Sequence, residues 1–167
     1  AGFFFQAYRL AILPNQLLSP LVARIAVNMF GRENRPDHRR QLRNRQLLLL
    51  APLLALATVL AILFAVPAVT LIFGATWAKS ADLLITFAGV IMFMSLFEIL
   101  KSYCFVTGSM KALVMGRAAQ YLMLGAVPFL VGIGVVADKT TALAIGISMG
   151  WAAAFLVVIC VLLRNRA

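Results

Sequence analysis

Acidic residues are scarce in this chain. Five Asp and Glu stand among 167 residues, against fifteen Lys and Arg, and there is one histidine. Charged residues make up 12% of the total, where a soluble domain carries about a quarter. So thin a supply of ligands and bases excludes much chemistry. The two cysteines, Cys104 and Cys160, lie far apart inside apolar runs, and their spacing suits neither a zinc site nor a redox pair. His38 stands among arginines with no Cys or acidic ligand set beside it. No nucleophile–base set, HExxH motif, phosphate-cradling glycine loop or paired carboxylates occurs. The chain therefore reads as a non-enzyme, with no catalytic residue, no metal and no cofactor.

What the chain has in quantity is apolar surface, at 63% hydrophobic residues. A compact soluble fold of this length buries only part of the surface its chain exposes. The composition argues for lipid as the solvent. A helix that crosses a bilayer needs about 20 mostly apolar residues. Five segments qualify, at about 3–30, 47–73, 84–106, 118–136 and 142–163. An outer-membrane barrel would show alternating segments of about ten residues instead. The expected fold is an all-α integral membrane protein, a bundle of five transmembrane helices forming a single membrane domain over 1–167. The start, Ala-Gly-Phe, has no methionine and no basic leader, so the chain reads as a piece of a longer membrane protein.

The net charge of +10 would coat one face of a nucleic-acid-binding domain. Here it collects in the breaks between apolar runs. GRENRPDHRRQLRNRQ (31–46) holds six arginines, TGSMKALVMGR (107–117) holds Lys111 and Arg117, and the tail holds Arg164 and Arg166. The alternate breaks, 74–83 and 137–141, hold only Lys79 and Lys139. Basic residues are retained on the cytoplasmic side, so the crowded face is expected inside, with the N-terminus of this piece outside and its C-terminus cytoplasmic. Membrane lipids, not nucleic acid, are the partner this pattern implies.

Four ionisable groups fall within the spans: Arg9, Arg24, Glu98 and Lys101. Each costs about 2.5–3.5 kcal/mol near the bilayer centre. At helical spacing Gln6, Arg9, Gln16, Arg24 and Asn28 share one arc of the first span, and Asn15 points to the opposite side. Such a stripe suits an aqueous, substrate-binding cavity; the alternative is that the arginines snorkel to the two interfaces. Glu98 and Lys101 are three residues apart and can pair, either as a structural ion pair or as a proton-coupling site. In the fifth span Ala142, Gly146, Gly150 and Ala154 form a small-residue stripe that lets two helices approach closely.

Three stretches resemble a known family. GFFFQAYRLAILP (2–14) is similar to a span opening of the form G-x-Y-x-x-A-x-R-L-x-x-L-P, with Phe4 where the pattern has tyrosine. PAVTLIFGATWAKSADLL (67–84) resembles P-x-x-x-x-x-[FL]-G-x-x-W-x-x-A, and FVTGSMKALVMGR (105–117) resembles the small polar turn that follows. Together they resemble the Wzx-type lipid-linked oligosaccharide flippases of the multidrug/oligosaccharidyl-lipid/polysaccharide exporter superfamily. The resemblance covers about 2–135. One departure is VNMFGREN (27–34), where the family often has a Phe-Pro pair.

The resemblance implies a two-lobed transporter of twelve or more helices, of which these five would be most of the C-terminal lobe. It implies flipping of an undecaprenyl-diphosphate-linked sugar unit across the bacterial inner membrane, for surface polysaccharides such as O-antigen or exopolysaccharide. The implied partners are the lipid-linked oligosaccharide, the missing N-terminal helices of the same chain, and the polysaccharide polymerase and glycosyltransferases. By position Arg9 matches the family's basic residue in its span. A drug or cation exporter of the same superfamily and a non-transporting anchor or assembly subunit are the other readings. The arginines favour an anion over a cation, and an anchor leaves Arg9 and Gln16 unexplained.

Overall fold

The computed structural model describes residues 2–132, 134 and 138–164, apart from the side chains of Leu18, Ser19 and Leu130. Five long helices hold nearly all of them: α1 (Gly2–Arg32), α2 (Pro36–Phe73), α3 (Ala78–Thr107), α4 (Met110–Gly132) and α5 (Lys139–Arg164). A single 3₁₀ turn, Ala75–Trp77, joins α2 to α3, and no strand occurs among the described residues. Each helix contains a stretch long and apolar enough to cross a membrane. The chain is all-α, and its helices are compatible with a multi-pass membrane protein.

The helices overrun the expected spans. α2 begins at Pro36 and not near residue 47, so most of the arginine segment is helix and not loop. Extended Arg35 (φ −84°, ψ 121°) leads into Pro36, whose fixed φ and missing N–H suit a first turn, and Asp37 sets negative charge at the positive helix end. Charge ends a membrane span, but arginine is a good helix former and need not end the helix. In the same way α4 starts at Met110 and not near 118, which leaves Gly108 and Ser109 between α3 and α4. Gly108, at φ 71°, closes α3 in the left-handed region, where a side chain would be strained. The expected end of the fourth span near 136 lies outside the described residues, as do Ala137 and Arg166.

α3 is the hub. α1, α2 and α5 pack on it, α4 packs chiefly on α5, and α1 and α2 barely touch. α3 is accordingly buried on nearly every side, from Ser80 to Cys104. Ring pairs give the directions. Phe4 lies 5.3 Å from Phe87 and Phe30 lies 5.4 Å from Tyr103, so α1 runs parallel to α3. Phe73 meets Trp77 while the Arg43 guanidinium lies over Tyr103, so α2 runs antiparallel. Ser148 Oγ donates to the Thr86 carbonyl (2.8 Å) and Phe155 meets Phe93, which sets α5 parallel to α3.

The stripe on α5 forms its seam with α4. A Cβ added at Gly146 would stand 2.2 Å from Val127 Cγ2, and one at Gly150 would stand 3.3 Å from the Gln120 carbonyl oxygen. Facing them, Gly116 of α4 sits against Ala154 and Val158. The small residues therefore serve packing within the chain. The alternation of directions groups the arginine segment, the α3–α4 turn and the end of α5 at one end of the bundle. The 3₁₀ turn and the start of α5 lie at the other.

Candidate functional site

The seat of α1 determines what its polar residues face. Ala7, Ala11, Asn15, Ala26 and Phe30 recur at nearly four-residue intervals and are buried. Ser80 Oγ, on α3, donates to the Phe3 carbonyl (3.2 Å) and fastens the start of the helix. With that face down on α3, Arg9, Gln16, Arg24 and Asn28 are exposed and Gln6 is half-buried. The stripe survives both prolines within the helix, Pro14 and Pro20. Among the described residues neither Arg9 nor Arg24 enters an ion pair.

Glu98 and Lys101 are paired, as their spacing implied, but not beside the arginines of the stripe. Since α1 and α2 lean on α3 and barely touch each other, a crevice of ≈ 180 Å³ opens between them. Ser95, Glu98 and Ile99 form its floor, with Asn15 and Val22 on one wall and Leu50, Leu53 and Leu54 on the other. Glu98 is buried, and loss of Lys101 would strand its charge. The Ser95 and Ser102 hydroxyls return to the carbonyls of Ile91 (2.8 Å) and Glu98 (3.0 Å), four residues back, and do not serve the carboxylate.

Asn15 is 2% exposed, and its Nδ2 has no hydrogen-bond partner. An orphaned buried donor of this kind costs about 1–3 kcal/mol. Asn15 also lines a second cavity of ≈ 250 Å³ with Gln16, Pro20 and Met94. It thus stands between the polar stripe and the buried acid. The helical wheel, which sets it opposite the stripe, has its direction right and gives no sign of this position.

Two arginines outside the expected set lie over aromatic rings. Arg43 is 1% exposed, with its guanidinium 4.9 Å from the Tyr103 ring centre and its Nε and Nη2 donating to Asn44 Oδ1 (3.0 and 2.8 Å). The arginine segment is therefore not uniformly a headgroup-facing surface, which corrects the reading of its charge. A signal exists in hindsight: Arg43, Leu47, Leu50 and Leu54 share one face once α2 is extended back to Pro36. Arg117 lies over both Phe97 (4.8 Å) and Trp151 (4.9 Å) and donates to Gln120 Oε1 (2.7 Å).

The polar groups at the bundle ends have local work. His38, half exposed, lies 3.5 Å from Glu33 Oε2. The Arg35 N–H donated to Glu33, with His38 beside it, holds that carboxyl below the usual range. Asp138 caps α5, accepting the hydroxyls of Thr140 and Thr141 and both their N–H groups, and these bonds hold it well below the ordinary aspartate value. Comparison of the chain with protein families, curated proteins and solved structures gives no match.

Proposed function

We propose that the chain is part of a two-lobed transporter that flips a polyprenyl-diphosphate-linked oligosaccharide across the bacterial inner membrane by alternating access. One observation carries this reading. α1 is apolar enough to cross a bilayer, yet its face away from α3 bears Arg9, Gln16, Arg24 and Asn28. Against lipid such a face is costly, whereas at a water-filled cavity between two lobes it is not. The planar guanidinium forks suit a diphosphate or an acidic sugar. The motifs at 2–14, 67–84 and 105–117 support the same assignment. In this reading further helices of the same chain face α1 and complete the cavity, and the basic end lies in the cytoplasm.

A charge-assisted contact at Arg9 is worth about 1.5–3 kcal/mol, or roughly ten- to a hundredfold in affinity. In the full chain Arg9→Ala should cut surface polysaccharide sharply at unchanged membrane abundance. Arg9→Lys should restore part of it, and Arg24→Ala should have a weaker effect. Leu71→Ala, at an exposed position of α2 outside the stripe, is the control. Normal transport by Arg9→Ala would remove the basis of the proposal. A cation or drug exporter is the second reading, favoured by the buried Glu98 at the floor of an apolar crevice. It stands second because Lys101 already neutralises that acid.

A further inference from the structure

α3 and α4 are joined by a tight turn but diverge, because the glycines of α4 and α5 draw α4 away onto α5. A groove of ≈ 560 Å³ remains between α3 and α4, lined by Phe97, Lys101 and Phe105 on one side and Val114, Arg117 and Tyr121 on the other. Its walls are apolar apart from the two cations. Lys101 lies six residues before the end of α3 and Arg117 seven after the start of α4. At about 1.5 Å per residue their backbones stand roughly 10 Å from the helix ends, level with each other. Glu98 engages Lys101 from the crevice side of α3, so the two cations and one acid leave the groove with a single positive charge. Among the described residues, Gln120 is the one hydrogen-bond acceptor on the Arg117 side chain, which leaves most of that fork uncommitted.

We infer that this groove binds an anionic phospholipid of the surrounding membrane. Its phosphodiester lies between Lys101 and Arg117, its headgroup faces Phe105 and Val114 at the basic end, and its acyl chains run along Phe97 and Tyr121 toward the bilayer centre. One phosphodiester charge matches the net charge of the site, and the exposed ring of Tyr121 (68%) on the bilayer side of the cations matches the chains. A zwitterionic lipid brings a second cation toward Arg117 and fits worse. The proposal rests on the membrane reading and not on transport, so lipid retention and polysaccharide export fail separately.

The test is native mass spectrometry of the full chain, purified in detergent with dioleoyl phosphatidylglycerol or dioleoyl phosphatidylcholine. Wild type should retain the phosphatidylglycerol about tenfold more, the size of effect expected of a charge-assisted contact. Arg117→Gln should abolish that preference, and Arg117→Lys should keep part of it. The double variant Glu98→Gln with Lys101→Gln leaves no stranded buried charge and keeps the net charge of the groove, but it removes one of the two cations that hold the phosphodiester. It should weaken the preference without abolishing it, and it carries the test where Arg117→Gln fails to fold. A Val114→Cys thiol should react more slowly with maleimide in phosphatidylglycerol than in phosphatidylcholine. Equal retention of the two lipids overturns the proposal, as does an unchanged preference in folded variants. A Val114→Cys thiol blocked in both lipids overturns it too, because another helix of the chain then fills the groove.

Discussion

Arg9 and Arg43 carry the same charge and have opposite surroundings. Arg43 is enclosed between α2 and α3 against Tyr103, where a guanidinium over a desolvated ring is worth about 2 kcal/mol and its truncation also leaves a cavity. Arg43→Ala should therefore lower the melting temperature of the detergent-purified protein, while Arg45→Ala, two residues on and exposed, should not. Equal melting of the two variants would mean that the burial of Arg43 contributes nothing. Asn15 permits the reverse experiment. Asn15→Leu removes an orphaned donor from an apolar wall and should stabilise the protein by about 1 kcal/mol. If transport falls while stability rises, the amide is kept for function; a less stable variant would show that Asn15 has a polar partner after all.

At the scale of elements, the α4–α5 seam is the tightest contact. A Cβ at Gly116 would stand 2.5 Å from Val158 Cγ2 and 3.0 Å from the Ala154 carbonyl oxygen, and that backbone atom has little room to move. Gly116→Ala should cost about 1–3 kcal/mol by overpacking. Gly125→Ala, with nothing within 4 Å, should be neutral or slightly stabilising. Thermal melting of the two separates seam packing from helix propensity, and equal loss in both would discount the seam. α5 also depends on its cap. The folded value of Asp138 lies below that of an unfolded aspartate, about 3.9, so the cap's contribution is complete above that pH and is lost as pH falls through the folded value. Asp138→Ala should speed hydrogen exchange in the first turn of α5 at neutral pH, and the difference from wild type should vanish in strong acid. Identical exchange at neutral pH would show that the cap does not hold the helix start.

For the whole molecule, the alternating helix directions give the charge asymmetry a geometric consequence. Residues of the arginine segment and of the 3₁₀ turn belong at opposite ends of the bundle. Single cysteines replacing Gln41 and Thr76, both exposed, should label from opposite sides of intact cells, in a background without Cys104 and Cys160. Ser80, which lies in the same break as Thr76, is fully buried and would report nothing. Labelling of both cysteines from the outside would exclude the five-span topology. α2 adds a demand on its surroundings, for Leu48, Leu53, Leu63 and Leu71 all stand more than half exposed. So large an apolar face calls for lipid or further helices against it.

Apolar runs near bilayer length settled the helical class and the number of helices, because backbone groups without water must bond within their own segment. Helical spacing likewise sufficed for the α1 stripe, since Arg9, Gln16, Arg24 and Asn28 are local in sequence and share a face wherever the helix is placed. The helix starts are less legible: the arginines of 36–46 mark where a span ends but are compatible with helix, so α2 begins eleven residues before its apolar run. Which charges are buried could not be read at all. Arg43 is core because α2 lies against Tyr103, and Arg117 is only half-buried, stacked on Phe97 and Trp151 because α3 and α5 bring those rings together. Asn15 belongs with Glu98 because two helices lean on a third and barely touch each other. Those are relations between segments far apart in the chain. Periodicity describes one helix at a time, and only the packing of several decides what each face meets.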